Sequence, residues 1–249
     1  MKKNILLVCC FLLTSLASAQ IVNIEDKRLG SEEKWTGDFN LNFDIVRDAQ
    51  DFFQLENTTH VQYNDESHRV LLMNNVSINK SGDESWQNNG FQHLRYTFQK
   101  EEKRLAYETF VQHQYNEIRK IDLRFLFGAG IRYRLFEKEK IESHFGTALM
   151  YAYEEEENVL ETEETIRGSF YLGFHWSINE RSAFHHTSYY QPVLENFEDF
   201  RYSGESRLDI SLTEKLRFNL IFRLMYDADP AAEIPLLTYQ LKNGFAYEF

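Results

Sequence analysis

The sequence predicts an all-β protein, a single antiparallel up-and-down transmembrane β-barrel of about 12 strands. Three observations predict this fold: an export signal at the N-terminus, a series of long segments in which apolar and polar residues alternate, and an aromatic residue at the C-terminus. Alternation with period two is typical of a strand that has one apolar face. Strands that cross a bilayer need about 9 to 11 residues, whereas strands of globular proteins average about 5 or 6.

Residues 1–19 are predicted to be a cleaved signal peptide, and residues 20–249 to form the barrel. A short basic start is followed by an apolar run from Ile5 to Leu16 and then by the small residues Ala17 to Ala19, which is the pattern that directs export and cleavage. The run is too short for a stable membrane-spanning helix.

The charge and the cysteine positions exclude several functions. Cys9 and Cys10 lie in the signal peptide, so the mature chain has no cysteine for a disulfide, a thiolate metal site or a nucleophile. Removal of Lys2 and Lys3 leaves 25 basic residues against 39 acidic ones, a formal charge of −14. This balance argues against nucleic acid as a partner, because phosphates require a basic surface.

Twelve alternating segments cover most of the mature chain. The clearest is the sixth, in which Phe125, Phe127 and Ile131 share one face while Arg124 and Arg132 share the other. The segments are 34–46, 52–63, 67–79, 90–99, 103–115, 121–136, 140–153, 164–178, 182–193, 199–212, 215–226 and 235–249.

The connections between these segments differ in length with the parity that a bacterial barrel predicts. Odd-to-even connections such as 81–89, 154–163 and 227–234 are long and acidic, while even-to-odd connections such as 64–66 and 213–214 are short. Outer-membrane barrels have long outer loops and short periplasmic turns. Because bare strand edges are costly in hydrocarbon, we also expect the first and last strands to pair and close the barrel.

The last segment carries an assembly signal. Phe245, Tyr247 and Phe249 alternate on one face and end the chain, which resembles the sequence that the outer-membrane assembly machinery recognises. The predicted location is therefore the outer membrane, with membrane lipids and the assembly machinery as partners.

Charged residues are expected to line the interior, since a charge facing lipid costs about 2 to 4 kcal/mol at the bilayer midplane. Two hypotheses remain open: a narrow water-filled path whose selectivity these charges determine, and an interior closed by ion pairs. The predicted lumen-lining residues are Glu108, Arg124, Arg132, Arg134, Glu142, Arg167, Glu205, Arg207, Arg217 and Arg223.

An acidic run offers a weak candidate for a metal site. Glu154, Glu155, Glu156 and Glu157 are predicted to lie in an outer loop, where clustered carboxylates can bind divalent cations such as Ca²⁺ or Mg²⁺. A solvated acidic loop is the simpler interpretation, because a charge run has no defined ligand geometry. No cofactor is predicted.

One pair of residues suggests catalysis. His186 and Ser188 lie two apart and would share a face of a strand, which resembles the His-x-Ser pair of outer-membrane phospholipase, where the imidazole activates the hydroxyl. Here Tyr189-Tyr190-Gln191 follows the serine instead of the Asn-Gly of that family. We therefore predict a non-enzymatic protein and keep a lipid hydrolase as the alternative.

The mature chain also resembles a family of uncharacterised bacterial outer-membrane barrels described as salt-induced. The resemblance rests on the entry strand Trp35-Thr36-Gly37-Asp38-Phe39-Asn40-Leu41, on the glycine-rich pair Phe127–Leu135 and Phe145–Tyr151, and on the aromatic end at Phe249. It implies a role in the cell envelope, extending to osmotic or salt adaptation.

The expected function is thus a narrow or gated channel or a structural envelope protein. A further alternative is a soluble lipocalin-like barrel that binds a lipophilic ligand. That alternative predicts apolar residues facing inward and charged residues facing outward, the reverse arrangement.

Overall fold

The structure is a computed structural model and describes residues 34–47, 51–81 and 84–247. The predicted signal peptide and Phe249 lie outside the described residues. Twelve β-strands account for most of the described chain. They are β1 (Trp35–Arg47), β2 (Asp51–Asp65), β3 (His68–Ser81), β4 (Glu84–Phe98), β5 (Leu105–Asn116), β6 (Ile121–Lys138), β7 (Ile141–Glu156), β8 (Glu163–Asn179), β9 (Ser182–Pro192), β10 (Phe200–Ser211), β11 (Leu216–Asp227) and β12 (Leu237–Tyr247).

The strands form one antiparallel up-and-down sheet in sequence order, which confirms the predicted fold class. Each strand is hydrogen-bonded to the next along the chain. Among the described residues, no helix is long and apolar enough to cross a membrane. We call the end with the odd-to-even connections the loop end and the opposite end the turn end.

Two of the predicted connections are wrong in length. The strand β4 begins at Glu84, so most of the loop expected over 81–89 belongs to the strand. The connection from β4 to β5 spans 99–104 and is longer than the three-residue turn expected there. The difference in length between loop-end and turn-end connections is therefore clearest in the second half of the sheet. There the loop-end connections 157–162 and 228–236 are much longer than the turns 139–140 and 180–181.

The two faces of the sheet have the reverse polarity of a soluble protein. Buried positions include Gln62, His93 and Arg167, whereas Phe127 is 54% exposed and Leu149 is 61% exposed. A charged side chain is rarely fully buried unless it is paired, and exposed apolar rows of this size mark a surface that meets lipid or protein. This arrangement is the opposite of what a soluble barrel with a lipophilic interior requires.

The polar face is the concave one. Tyr171 of β8 reaches Glu108 of β5 at 3.3 Å, although two strands, β6 and β7, lie between them in the sheet. At the loop end, Arg119, which lies between β5 and β6, donates a hydrogen bond to Thr238 of β12 at 2.7 Å. Contacts between strands so far apart require the sheet to curl around its polar face, which is the architecture of a transmembrane β-barrel.

The curled sheet is open along one seam, which differs from the expected closure. In the described part of the chain, β1 pairs only with β2, and β12 pairs only with β11. Water satisfies the bare edge groups of such strands, and only hydrocarbon makes them costly. The cost of the open seam is therefore expected to be greatest in a bilayer.

A β-bulge changes which residues of β6 face inward. The register with β7 shifts between Ile121 and Leu123, since one extra residue in a strand turns the side chains beyond it to the other face. As a result Ile121 is buried and Asp122 is exposed. The sequence alternation predicted the reverse for both residues.

Candidate functional site

The inward row of each strand brings most of the predicted lumen-lining residues together. Glu108, Arg124, Arg132 and Arg167 are buried. The side chains of Arg134, Glu205 and Arg223 are partly buried, while Glu142, Arg207 and Arg217 are more exposed toward the turn end. The interior is therefore packed in one part and solvent-accessible in another.

A network of ion pairs crosses the interior at the loop end. Arg124 of β6 donates two hydrogen bonds of 2.6 Å each to Glu154 of β7. Arg201 of β10 reaches the same carboxylate at 3.0 Å and donates another hydrogen bond to Asp227 of β11 at 2.9 Å. We call these four residues the mouth network. Bidentate pairing of this kind is the strongest geometry for arginine and carboxylate.

A second buried arginine fastens the connection between β9 and β10. Arg167 of β8 is 1% exposed and donates hydrogen bonds of 3.0 and 3.1 Å to the two carboxylate oxygens of Asp199. It also donates hydrogen bonds to Glu163 at 3.0 Å and to the backbone oxygen of Gln191 at 3.5 Å. Because charge at this depth must be paired, Arg167 fixes the 193–199 connection against the top of β8.

The loop from 228 to 236 lies over the mouth network. A short 3-10 turn at Glu117–Arg119 projects Arg119 toward Thr238, and the side chain of Asn116 caps this turn. A cavity of about 10 Å³ remains beneath the loop, which is room for about one water molecule. Burial, and next the nearby Arg124, lowers the pKa of Arg119 to about 10, so this side chain remains charged at neutral pH.

Lys120 joins the two loops that meet over this mouth. Its ammonium group lies 2.5 Å from the carboxylate of Glu233 and donates a hydrogen bond of 3.0 Å to the backbone oxygen of Ala232. We call this contact the loop clasp. The hydrogen bond from Lys120, followed by its charge, lowers the pKa of Glu233 below its ordinary value of 4.5.

Acid is therefore expected to loosen the loop clasp. A carboxyl whose pKa is depressed in the folded state stabilises that state above its ordinary pKa and loses the effect as pH falls through the depressed value. A fluorescent probe on Ala232→Cys should report greater loop mobility below pH 4.5. The same probe in Glu233→Gln should show no such transition, and identical pH curves for the two proteins would contradict the expectation.

A central cluster fills the interior between β4, β5 and β8. Glu108 accepts hydrogen bonds from Arg95 at 2.8 Å, from Tyr171 at 3.3 Å and from Thr97 at 3.3 Å. Gly146 of β7 makes this possible, since a Cβ atom at that position would collide with the ring of Tyr171. The sequence gives no signal for this contact across the barrel, because alternation assigns a side chain to a face but not to a partner.

The turn end is open. A cavity of about 750 Å³ is lined there by residues that include Lys140, Arg181, Arg207, Asp209 and Arg217. The inward rows of β10, β11 and β12 carry more cations than carboxylates. The cations are Arg201, Arg207, Arg217, Arg223 and Lys242, and the carboxylates are Glu205, Asp209 and Asp227.

The catalytic candidates lie on the outward face. His186 Nδ1 lies 2.9 Å from the hydroxyl oxygen of Ser206 on β10, and not against Ser188. Ser188 is opposite Gly204 in the register of β9 and β10. The sequence did not indicate Ser206, because spacing within one strand says nothing about the partner strand.

The predicted acidic loop is largely a strand. The strand β7 extends to Glu156, so Glu154, Glu155 and Glu156 belong to it and only Glu157 lies in the connection. Glu154 points inward and is occupied by two arginines, while Glu155 accepts a hydrogen bond from Tyr153. Among the described residues, no group of three or more histidine, cysteine or acidic residues is arranged to hold a metal ion.

The predicted assembly signal is on the outward row of β12. Phe245 is 68% exposed and Tyr247 is 62% exposed.

A family model described as "Protein of unknown function, DUF481" matches residues 30–249. The chain belongs to the DUF481 family.

Other comparisons add little to the DUF481 assignment. No curated protein matches the sequence. Among solved structures, this DUF481 chain is similar to one described as "NanC porin structure in rhombohedral crystal form", with 8% sequence identity and a TM-score of 0.48. The similarity covers 79% of this chain and 94% of that one, and at this level it carries no argument about function.

Proposed function

We propose that the protein is an integral outer-membrane barrel that acts as a narrow, gated channel and has no enzymatic activity. One observation carries the proposal: the interior is blocked at the loop end by the mouth network and opens at the turn end into a cavity of about 750 Å³. A polar interior inside an apolar exterior supports insertion in a bilayer. The export signal and the aromatic C-terminus support the outer membrane as its location.

The loop clasp provides a way for the gate to respond to salt. Ion pairs between exposed groups are screened as ionic strength rises, whereas buried pairs are screened much less. Glu233 is exposed, while the mouth network is buried. High external salt would therefore release the loops first, which is consistent with a role in osmotic or salt adaptation.

Planar-bilayer recording of the refolded protein tests the channel. We expect wild type to be mostly closed, with rare openings, and Lys120→Ala to open several-fold more often because the clasp is lost. Lys138→Ala, at the turn end, is the matched control and should behave as wild type. Absence of conductance in both wild type and Lys120→Ala would refute the channel.

The open state should prefer anions. Selectivity follows the charges that line a pore, and the inward rows of β10 to β12 carry five cations and three carboxylates. The sign of the reversal potential in a potassium chloride gradient measures this preference.

A phospholipid hydrolysis assay tests the proposal that the protein has no enzymatic activity. Hydrolysis by wild type that disappears in Ser188→Ala or Ser206→Ala would contradict it.

A further inference from the structure

A row of polar side chains crosses the outward, apolar face of the sheet. Asn57 of β2 accepts a hydrogen bond from Asn74 of β3 at 2.6 Å, Asn74 accepts one from Gln92 of β4 at 2.9 Å, and Gln92 lies 2.6 Å from the imidazole of His113 on β5. Thr59 donates a further bond to Asn57 at 3.2 Å. We call these five residues the lipid-facing ladder.

The register shows that the ladder is continuous across four strands. Thr59 is opposite Asn74, Asn74 is opposite Gln92, and Gln92 is opposite His113. Directly opposed residues on one face of an antiparallel pair are the closest side-chain neighbours in a sheet. The ladder is therefore a built feature of this face and not a set of scattered polar residues.

The position of the ladder along the strands places it near the middle of the apolar band. On β3, Asn74 is flanked by Leu72 and Val76 on the outward row, with His68 and Lys80 six residues away in either direction. On β2, Asn57 lies midway between Tyr63 and Asp51 in the same way. At this depth a bilayer offers hydrocarbon, which cannot hydrogen-bond, so exposed amides there are unfavourable.

The hydrogen bonds within the ladder leave part of each amide unused. An amide has two N–H donors and a carbonyl oxygen with two lone pairs. In the contacts of the described residues, Asn74 donates once and accepts once, and the amide of Gln92 does the same. Each of these two amides therefore keeps one donor and one acceptor for a further partner on the outward face.

We infer that this face binds a second copy of the same chain. A two-fold interface places the same patch on both partners and must therefore complement itself, and two neighbouring amides that each keep one donor and one acceptor, Asn74 and Gln92, can do so. The outward rows of β2 to β5 between the membrane boundaries carry no aspartate, glutamate, lysine or arginine. A charged partner would find no complementary group on this face.

The size and surroundings of the face suit such a dimer. Four strands about 4.8 Å apart, crossing an apolar band about 25 Å tall, present about 500 Å² from each copy. Two such faces bury about 1,000 Å², where specific interfaces begin. Leu72, Leu94 and Val111 form an aliphatic row on one side of the ladder, and Val76 lies on the other side, so pairing would shield the amides from lipid.

The dimer rests on the membrane insertion proposed above, but it does not depend on channel activity. Single-molecule photobleaching in lipid vesicles, or sedimentation equilibrium in density-matched micelles, measures the oligomeric state directly. Wild type should be a dimer. The variant Asn74→Leu/Gln92→Leu/His113→Phe should dissociate at least ~10-fold more readily, because apolar side chains replace the groups that would form hydrogen bonds across the interface.

Two matched variants make the result specific. Asn74→Gln/Gln92→Asn keeps the hydrogen-bonding groups and should keep the dimer, which distinguishes loss of pairing from a general disturbance of β3 and β4. His186→Phe/Ser206→Ala removes a polar pair from the outward face of β9 and β10 and should also leave the dimer intact.

Heat-modifiable gel mobility reports whether each variant has folded into the membrane, independently of its oligomeric state. A folded wild type that is monomeric would overturn the dimer and leave the channel proposal unaffected. The same holds if the dimer survives in the folded leucine variant or is lost in the variant of β9 and β10. Failure of wild type to insert into vesicles would instead overturn the proposed function itself.

Discussion

Replacement of Glu154 with glutamine is expected to lower the free energy of unfolding by about 3 to 5 kcal/mol, because removal of one member of a buried ion pair leaves the partner charge uncompensated. Here Arg124 loses its carboxylate partner and Arg201 keeps only Asp227, and Arg124, Arg201 and Glu154 are all buried. Equilibrium unfolding by urea in lipid vesicles measures the change.

The neighbouring Glu155 supplies the control for this experiment. It lies on the opposite face of β7 and accepts a hydrogen bond from Tyr153. Glu155→Gln should change the free energy of unfolding by less than about 0.5 kcal/mol, as is usual for surface substitutions. Equal effects of the two substitutions would show that the mouth network is not what stabilises the loop end.

In a bilayer, the open seam between β1 and β12 is expected to close. The inward residues of β1 include Asp38 and Asp44, and the inward row of β12 carries Lys242, so opposite charges would meet on the inside. Of the three pairs that combine Lys242→Cys with Asp38→Cys, Asn40→Cys or Asn42→Cys, one should form a disulfide almost completely on oxidation in vesicles.

The parity of the strands gives a control for this crosslink. Leu41→Cys combined with Lys242→Cys places the two thiols on opposite faces of the sheet, where a disulfide cannot form because the Cβ atoms must lie about 4 Å apart. The mature chain contains no other cysteine if residues 1–19 are removed as predicted. Absence of crosslinking in all three pairs would mean that the two edges do not meet.

The sequence was sufficient to predict the strands and their two faces. In most strands the apolar row and the charged row alternate without interruption, as in β6 between Leu123 and Arg134. The face on which a side chain lies is then determined by its position within its own strand. The twelve strands and their order are confirmed for the same reason, since consecutive antiparallel strands need only short connections.

The partners of the interior side chains could not be predicted from the alternation. The approach of Tyr171 to Glu108 depends on how tightly the sheet curls and on the space left by Gly146. Glu154 was expected in a loop because it begins an acidic run, yet β7 continues through Glu156. These positions depend on contacts across the barrel, which no local pattern records.

The ladder on the outward face was also missed. Four positions of the outward, apolar rows, one on each of four strands, are occupied by Asn57, Asn74, Gln92 and His113. Within its own strand, each of these residues looks like an isolated interruption of the apolar row. Only the register reveals that they are neighbours, because it places residues 17 to 21 apart in the chain within hydrogen-bonding distance. The signal that could have identified them is a polar residue in the apolar row at corresponding positions of adjacent strands.

The asymmetry of the two ends has a consequence for the whole cell. If the protein is the outer-membrane channel proposed above and its loops are outside, each copy would be closed toward the surroundings and open toward the periplasm. A bacterium could therefore hold a large stock of the protein in its envelope without compromising the permeability barrier. The number of copies would determine how quickly solutes are exchanged once the loops are released, and the rare openings at rest would add only a small leak.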